Sequence, residues 1–410
     1  MILLKTCIRF IAVLCLFMAC TQPAAKKAAV LPDDSLQYYP PTPGEISKEE
    51  FRNYYRACQQ FFDSTLDNQR FNGSILVAKN GKVIFEKYIG YTNPAARKDS
   101  LNTNDAFHLA SVSKTFTAMA TLKLWQDGKL GLDDELGKYF ENFPYPSVTI
   151  KMLLNHRSGL PNYVHYLEQN GWDKKKLVTN ADVLSSLYSL HPPLQFTTGK
   201  RFSYCNTNYA LLALLIEKVS GKAYPAYLQE TFFTPLQMKN TYVFSETAAA
   251  TAMPSFMWDN RQYPMEFLDL TYGDKNIYST VQDMLKWDQA LYSNQLFKQV
   301  TLDSAFAGYS FEKEGKRNYG LGWRMTFIDN GKKILYHNGW WHGNNTVFIR
   351  LLDEKATIIV LGNRYTQKIY SARKLCDVFG DYAQNKAHGE EGEMSGSGGS
   401  PSFKAILPKK

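Results

Sequence analysis

Cysteine, clustered charge and long apolar runs are all scarce in this 410-residue chain. There are six cysteines, and Cys7, Cys15 and Cys20 fall in the first twenty residues. Cys58, Cys205 and Cys376 remain, an odd number at wide spacing, which excludes a disulfide framework. The net charge of +9 is spread along the chain, with no basic stripe and no recognisable nucleic-acid module. That excludes nucleic acid as a partner. The apolar run from Phe10 to Ala19 is too short to cross a bilayer. His156, His165, His191 and His342 show no metal-ligand spacing, and no motif calls for a cofactor. What is plentiful is apolar residues, 44% of the chain, enough to bury a sizeable core, and 410 residues suffice for one large domain or two ordinary ones.

The first twenty residues read as processing signals rather than fold. Lys5 and Arg9 precede the apolar run, which ends at Ala19-Cys20, so residues 1–19 read as a secretory signal. Met18-Ala19-Cys20 resembles a bacterial lipoprotein cleavage site, although Phe17 stands where that pattern prefers a small aliphatic residue. The resemblance implies lipidation of Cys20, a membrane anchor and a place in the cell envelope facing the periplasm. Loss of Lys5 and Arg9 takes the charge from +9 to +7. Residues 20–44 are rich in Ala, Pro and Lys and read as a tether.

The folded domain is expected over 45–385. Ser47 and Glu50 form a capping box for a helix reaching Leu66. Two strand-like runs, Gly73 to Ala78 and Lys82 to Ile89, are joined by Asn80-Gly81, a strong hairpin signal. Helices are expected from Ile150 to Asn155 under a Thr149 cap, over 181–190, from Thr207 or Asn208 to Val219, and around the amphipathic stretch Leu285 to Leu291 with Ser279 or Thr280 as its cap. Strands are expected at Leu321 to Ile328, Lys333 to His337, Thr346 to Leu351 and Ala356 to Leu361, then a closing helix from Ser371 to Ala383. Residues 386–410 are Gly, Ser and Glu rich and read as a disordered tail. Strands at both ends of the chain suggest an α+β fold. One antiparallel sheet would be flanked by helices, with a helical insertion in the middle.

That insertion opens with Phe107 to Gly128, apolar on all sides, which reads as a buried helix stopped by Gly128. Ser111 and Lys114 sit near its start, one turn apart on one face. A helix N-terminus favours developing negative charge, and a desolvated lysine can give up its proton near neutral pH. The pair can therefore make a nucleophile. The spacing alone is weak, because Ser310/Lys313 and Ser371/Lys374 repeat it.

Further motifs follow in order: Tyr204-Cys-Asn206 and His337-Asn-Gly339, with His-x-Gly found only there. Together with Ser111-Val-Ser-Lys114 they resemble the serine β-lactamase and penicillin-binding protein superfamily. The likeness is to the branch of class C β-lactamases, D-alanyl-D-alanine carboxypeptidases and related esterases, and it covers roughly Phe71 to Asn363. It implies a β-lactamase/transpeptidase-like fold and an acyl-enzyme on Ser111, with Lys114 or Tyr204 taking the proton. Asn206 would orient Lys114 or the acyl side chain. The backbone N–H groups of Ser111 and Trp340 would form the oxyanion hole, and Gly339 would let substrate lie close to its strand. The implied partner is a small-molecule or peptidoglycan-like ester or amide. A class C-like β-lactamase and a non-catalytic cell-wall binder are the alternatives. Tyr204, Asn206 and His337 could each also be ordinary packed or capping residues.

His-Asn-Gly departs from the Lys-Thr-Gly of typical β-lactamases, and no deacylating glutamate of the class A type is evident. A histidine of ordinary pKa, about 6.5, is mostly neutral at pH 7. Losing a charge-assisted contact weakens carboxylate binding by roughly 1.5–3 kcal/mol. Small neutral esters are thus expected to be preferred over β-lactams, unless Arg324 or Arg364 supplies the missing charge. Trp340 and Trp341 are expected to wall the site or simply to pack.

Overall fold

Asn80 and Gly81 both take positive φ, 52° and 75°, and close the hairpin between strands β1 (Gly73–Lys79) and β2 (Lys82–Ile89). These values match the two left-handed positions of a type I′ turn. The computed structural model describes residues 38, 40–67, 71–312 and 315–385. The expected signal, Cys20 and the tail lie outside them, as does most of the tether. No helix among the described residues is long and apolar enough to cross a membrane.

Five more strands come from the end of the chain: β3 (Arg317–Tyr319), β4 (Arg324–Phe327), β5 (Lys333–Trp341), β6 (Asn344–Leu351) and β7 (Ala356–Gly362). With the hairpin they form one antiparallel sheet in the order β2-β1-β7-β6-β5-β4-β3. The first strand pairs with the last, from Gly73 opposite Gly362 to Lys79 opposite Ala356. Because side chains alternate across a strand, the central strands feed two cores. Leu76 and Ala78 face the helical insertion. Ile75 and Val77 face helix α1 (Lys48–Phe61) and the last helical segment.

The capping box forms as expected: Ser47 Oγ accepts from the Glu50 N–H, and the Glu50 carboxylate accepts from the Ser47 N–H. Thr149 caps Ile150–Leu154, and Gly221 ends helix α3 (Asn206–Ser220) in the left-handed region. Thr280, one of the two expected caps, accepts from the Asp283 N–H and opens helix α4 (Val281–Ala290). Elsewhere the boundaries move. The expected strand from Leu321 to Ile328 begins only at Arg324, after a turn at Gly322, φ 90°, which brings that residue against Ala118 of the insertion. The expected closing helix is instead a 3-10 segment, Gln367–Leu375, and one α-turn, Cys376–Phe379. The Asp377 carboxylate accepts from the N–H groups of Tyr382, Gln384 and Asn385, which folds the chain back where a helix would have continued.

Candidate active site

The nucleophile turn is built before its helix begins. Phe107–His108 is a short strand against Ile277–Ser279, Ala110–Val112 is a 3-10 turn, and helix α2 (Ser113–Gln126) follows. The expected helix from Phe107 thus starts six residues later. Its end agrees, with Gly128 at φ 71°. Ala110 takes φ 48°, the left-handed region that costs a non-glycine residue energy. Its N–H donates to His108 Nδ1 at 3.0 Å. Asn276 Oδ1, which can only accept, lies 2.8 Å from His108 Nε2, so His108 carries its proton on Nε2. Burial pushes the His108 pKa down to about 4, which keeps the ring neutral. Nothing at sequence level singled out His108; its adjacency to the Ser111 motif is the one available hint.

Lys114 is fully buried and donates to Ser111 Oγ at 3.2 Å and to the Asp274 carbonyl at 2.7 Å. Its Nζ also lies over the rings of Tyr204, 4.9 Å, and Tyr209, 5.6 Å. Tyr204 immediately precedes Cys205, the residue before helix α3, whose N–H donates to His156 Nδ1 at 3.1 Å. His156 is buried with its ring 4.4 Å from that of Tyr204. It braces the tyrosine from behind, in a place that spacing could not indicate. Asn206 starts helix α3 but makes no hydrogen bond to Lys114, and its Oδ1 has no partner among the described residues. Of the two roles expected of Asn206, orienting Lys114 falls to the Asp274 carbonyl, and the acyl side chain is the role that remains.

Strand β5 supplies the other wall. Its pairing with β4 ends at Tyr336 opposite Arg324, so from His337 onward that edge has no strand beside it. His337, Gly339 and Trp341 alternate onto the face carrying the nucleophile; Asn338 and Trp340 point the other way. His337 is buried, with Nδ1 2.8 Å from the Asn338 carbonyl and Nε2 3.3 Å from the Tyr319 hydroxyl. Burial, then the cations of Arg324 and Lys114, hold its pKa well below the usual histidine range. Arg324 lies 4.7 Å over the Tyr204 ring, whereas Arg364 donates to the Trp258 carbonyl at 2.7 Å.

Gly339 is required by the protein itself. A Cβ there would stand 2.2 Å from Thr346 Oγ1 and 2.4 Å from the Leu109 carbonyl oxygen. The nucleophile turn thus lies against this glycine, and the Thr346 hydroxyl donates to its Leu109 carbonyl at 2.8 Å. Trp340 turns to the far face and donates to the His342 carbonyl, with its ring 6.1 Å from Tyr365. Trp341 stays on the site face, with Nε1 on Asp269 at 2.7 Å and the ring 4.7 Å from Lys275 Nζ. Among the described residues, no group of His, Cys, Asp or Glu could hold a metal ion.

A model of the Beta-lactamase family matches residues 52–373, most of the chain. The chain belongs to that family. Penicillin-binding protein 4* of Bacillus subtilis is 31% identical over 342 residues, covering 78% of this chain and 75% of that protein. The penicillin-binding protein structure from Bacillus halodurans superposes with a TM-score of 0.67 at 24% identity, covering 78% of this chain and 98% of that one. D-amino acid amidase from Ochrobactrum anthropi superposes with a TM-score of 0.65 at 21% identity, covering 80% of this chain and 97% of that one. The two structures share the β-lactamase/transpeptidase-like fold. Family membership places the chain in the serine hydrolase superfamily and makes the Ser111, Lys114 and Tyr204 cluster its candidate active centre.

Proposed function

We propose that the protein is a serine hydrolase of the D-peptidase type, acting through an acyl-enzyme on Ser111. The observation that carries this is the 3.2 Å contact between Ser111 Oγ and a fully buried Lys114. Ser111 Oγ bonds to the substrate carbonyl carbon, and its proton leaves towards Lys114 Nζ or Tyr204. The C–N or C–O bond then breaks, and the proton passes to the leaving nitrogen or oxygen. Water completes the cycle by cleaving the ester. The N–H groups of Ser111 and Trp340 are assigned to the oxyanion.

Arg324 favours an anionic substrate over the neutral ester expected from His337 alone. His337 is buried and held neutral, while Arg324 puts a permanent cation over Tyr204 at the site. Similarity to a penicillin-binding protein supports the same reading. A lipid anchor on Cys20 would hold the enzyme at the cell envelope, near peptidoglycan-like substrates.

Fluorescent penicillin labelling followed by peptide mapping tests the reading. The label is expected on Ser111, lost in Ser111→Ala and kept in Ser371→Ala. Label that persists in Ser111→Ala, or no label and no hydrolysis of D-peptides by the intact protein, would overturn it.

A further inference from the structure

A second lysine lies buried behind the nucleophile, and nothing in the reaction above uses it. Lys275 Nζ donates to the Tyr163 hydroxyl at 2.6 Å and to Thr271 Oγ1, and lies 3.5 Å from the Asp274 carboxylate. Asp274 is as deeply buried. Tyr163 also donates to its Oδ2, 2.9 Å, while Oδ1 has no partner among the described residues. The carboxylate is therefore held from one side, by Tyr163 and Lys275. Burying such a pair costs more than it returns unless the geometry is well satisfied, so it is weak evidence for stability alone.

The same residue, Asp274, carries the carbonyl that accepts from Lys114. Its neighbours confine that carbonyl. Gly273 takes φ 90°, with its carbonyl accepting from Thr117 Oγ1 of helix α2 at 2.6 Å. Asn276 takes φ 74° and donates to the carbonyls of Asp269 and Thr271. The remaining freedom is rotation of the Asp274–Lys275 peptide, and the two side chains on either side of it are the ones clamped together.

We propose that Lys275 is a positioning residue for acylation: through Tyr163 and the Asp274 side chain it fixes the Asp274 carbonyl, and that carbonyl fixes Lys114 against Ser111. This inference rests on the acyl-enzyme reading of Ser111. Its physical content is that a small displacement of Lys114 slows the chemical step without altering substrate affinity, and misplacements of about 1 Å can cost a hundredfold. If Lys275 served only to neutralise Asp274, removing both charges together would restore the protein.

The test compares wild type with Tyr163→Phe and with the doubly neutral Asp274→Asn/Lys275→Met protein. Acylation of Ser111 by a fluorescent penicillin is followed over a concentration series, which separates the rate constant from the affinity, and Tm is read alongside. The expected result is a double variant with Tm near wild type, unchanged affinity and an acylation rate constant down roughly ten- to a hundredfold. Tyr163→Phe should show a smaller loss of the same kind. A variant that folds and acylates at the wild-type rate would overturn the proposal, as would a loss confined to affinity. If wild type itself is not labelled at Ser111, the functional reading falls. The inference is then decided by a crystal structure of either variant: Lys114 Nζ displaced from the Asp274 carbonyl supports it, and Lys114 unmoved refutes it.

Discussion

His337 Nε2 faces the Tyr319 hydroxyl at 3.3 Å, while its Nδ1 faces the carbonyl of Asn338 at 2.8 Å. The carbonyl can only accept, so the proton sits on Nδ1 and Nε2 accepts from the tyrosine. That arrangement is the neutral ring's, and burial beside two cations is what keeps the imidazole neutral. His337 thus orients groups at the site by hydrogen bonds, and the fixed positive charge belongs to Arg324. Discrimination between an anionic cephalosporin and a neutral p-nitrophenyl ester should then not titrate with His337. The ratio of their kcat/KM values is expected to stay level from pH 6 to pH 8. In Arg324→Ala it is expected to fall roughly ten- to a hundredfold, the effect of losing one charge-assisted contact. A wild-type ratio that drops through pH 6.5, or one indifferent to Arg324, would return the charge to His337 or to another group.

Gly339→Ala tests the fit between strand β5 and the nucleophile turn. The added methyl would overlap Thr346 Oγ1 and the Leu109 carbonyl, and the latter is main chain that cannot rotate away. Overpacking of this kind costs about 1–3 kcal/mol. Because the displaced segment leads straight into Ser111, acylation should fall further than stability, about a hundredfold. Denaturant unfolding and penicillin labelling on one preparation check both. A variant of normal labelling rate would mean the turn can retreat without moving Ser111.

Acid should destabilise the protein through its buried histidines. His108 is pushed down to about 4, and His156 and His337 lie well below the ordinary value of 6.5, in each case with burial as the main cause. The unfolded chain binds these protons from about pH 6.5 downwards while the folded protein refuses them. Stability is therefore complete above pH 6.5 and is lost as pH falls below it. Each histidine's contribution falls by about 1 kcal/mol over the first pH unit, the slope rising towards about 1.4 kcal/mol per unit further down, so roughly 3 kcal/mol should go between pH 6.5 and 5.5. Asp134, held down to about 2 by hydrogen bonds from Lys138 and Tyr139, stays ionised throughout. Denaturant unfolding at pH 7.5, 6.5 and 5.5 measures the slope. A flat profile would show that the histidines take up protons in the folded state.

Cys20 is proposed as the lipid attachment site, from the charged start, the short apolar run and Ala19-Cys20. Metabolic labelling with a fatty-acid analogue should mark the wild type and leave Cys20→Ser unmarked. A mature N-terminus mapped to any other residue would refute the assignment.

Much of the fold was legible because its signals are short-range. Ser47 with Glu50, Asn80 with Gly81, Thr149 and Gly128 each act within a few residues, through one hydrogen bond or one permitted φ. The buried pair of Asp288 and Arg350 shows the opposite case. They meet at 2.6 Å, fully buried, with Thr357 completing the carboxylate. In sequence they are one amphipathic-helix aspartate and one strand arginine among many, and only the stacking of helix α4 on the sheet makes them partners.

The active site divides along the same line. Ser111 and Lys114 were determined by the sequence itself, because residues three apart share a face in a 3-10 turn, where Ser111 lies, as they do in the α-helix that Lys114 enters. Tertiary structure decided what surrounds them: Asp274 and not Asn206 as the partner of Lys114, His156 behind Tyr204, and Arg324 rather than Arg364 beside the site. It also gave Gly339 to the nucleophile turn and turned Trp340 away while keeping Trp341. These choices follow from which strands pair and where each pairing stops. A polar side chain carries no mark in the sequence of the distant group it will meet, since that contact exists only once β5 runs past β4 and the segment at Asp274 closes over helix α2.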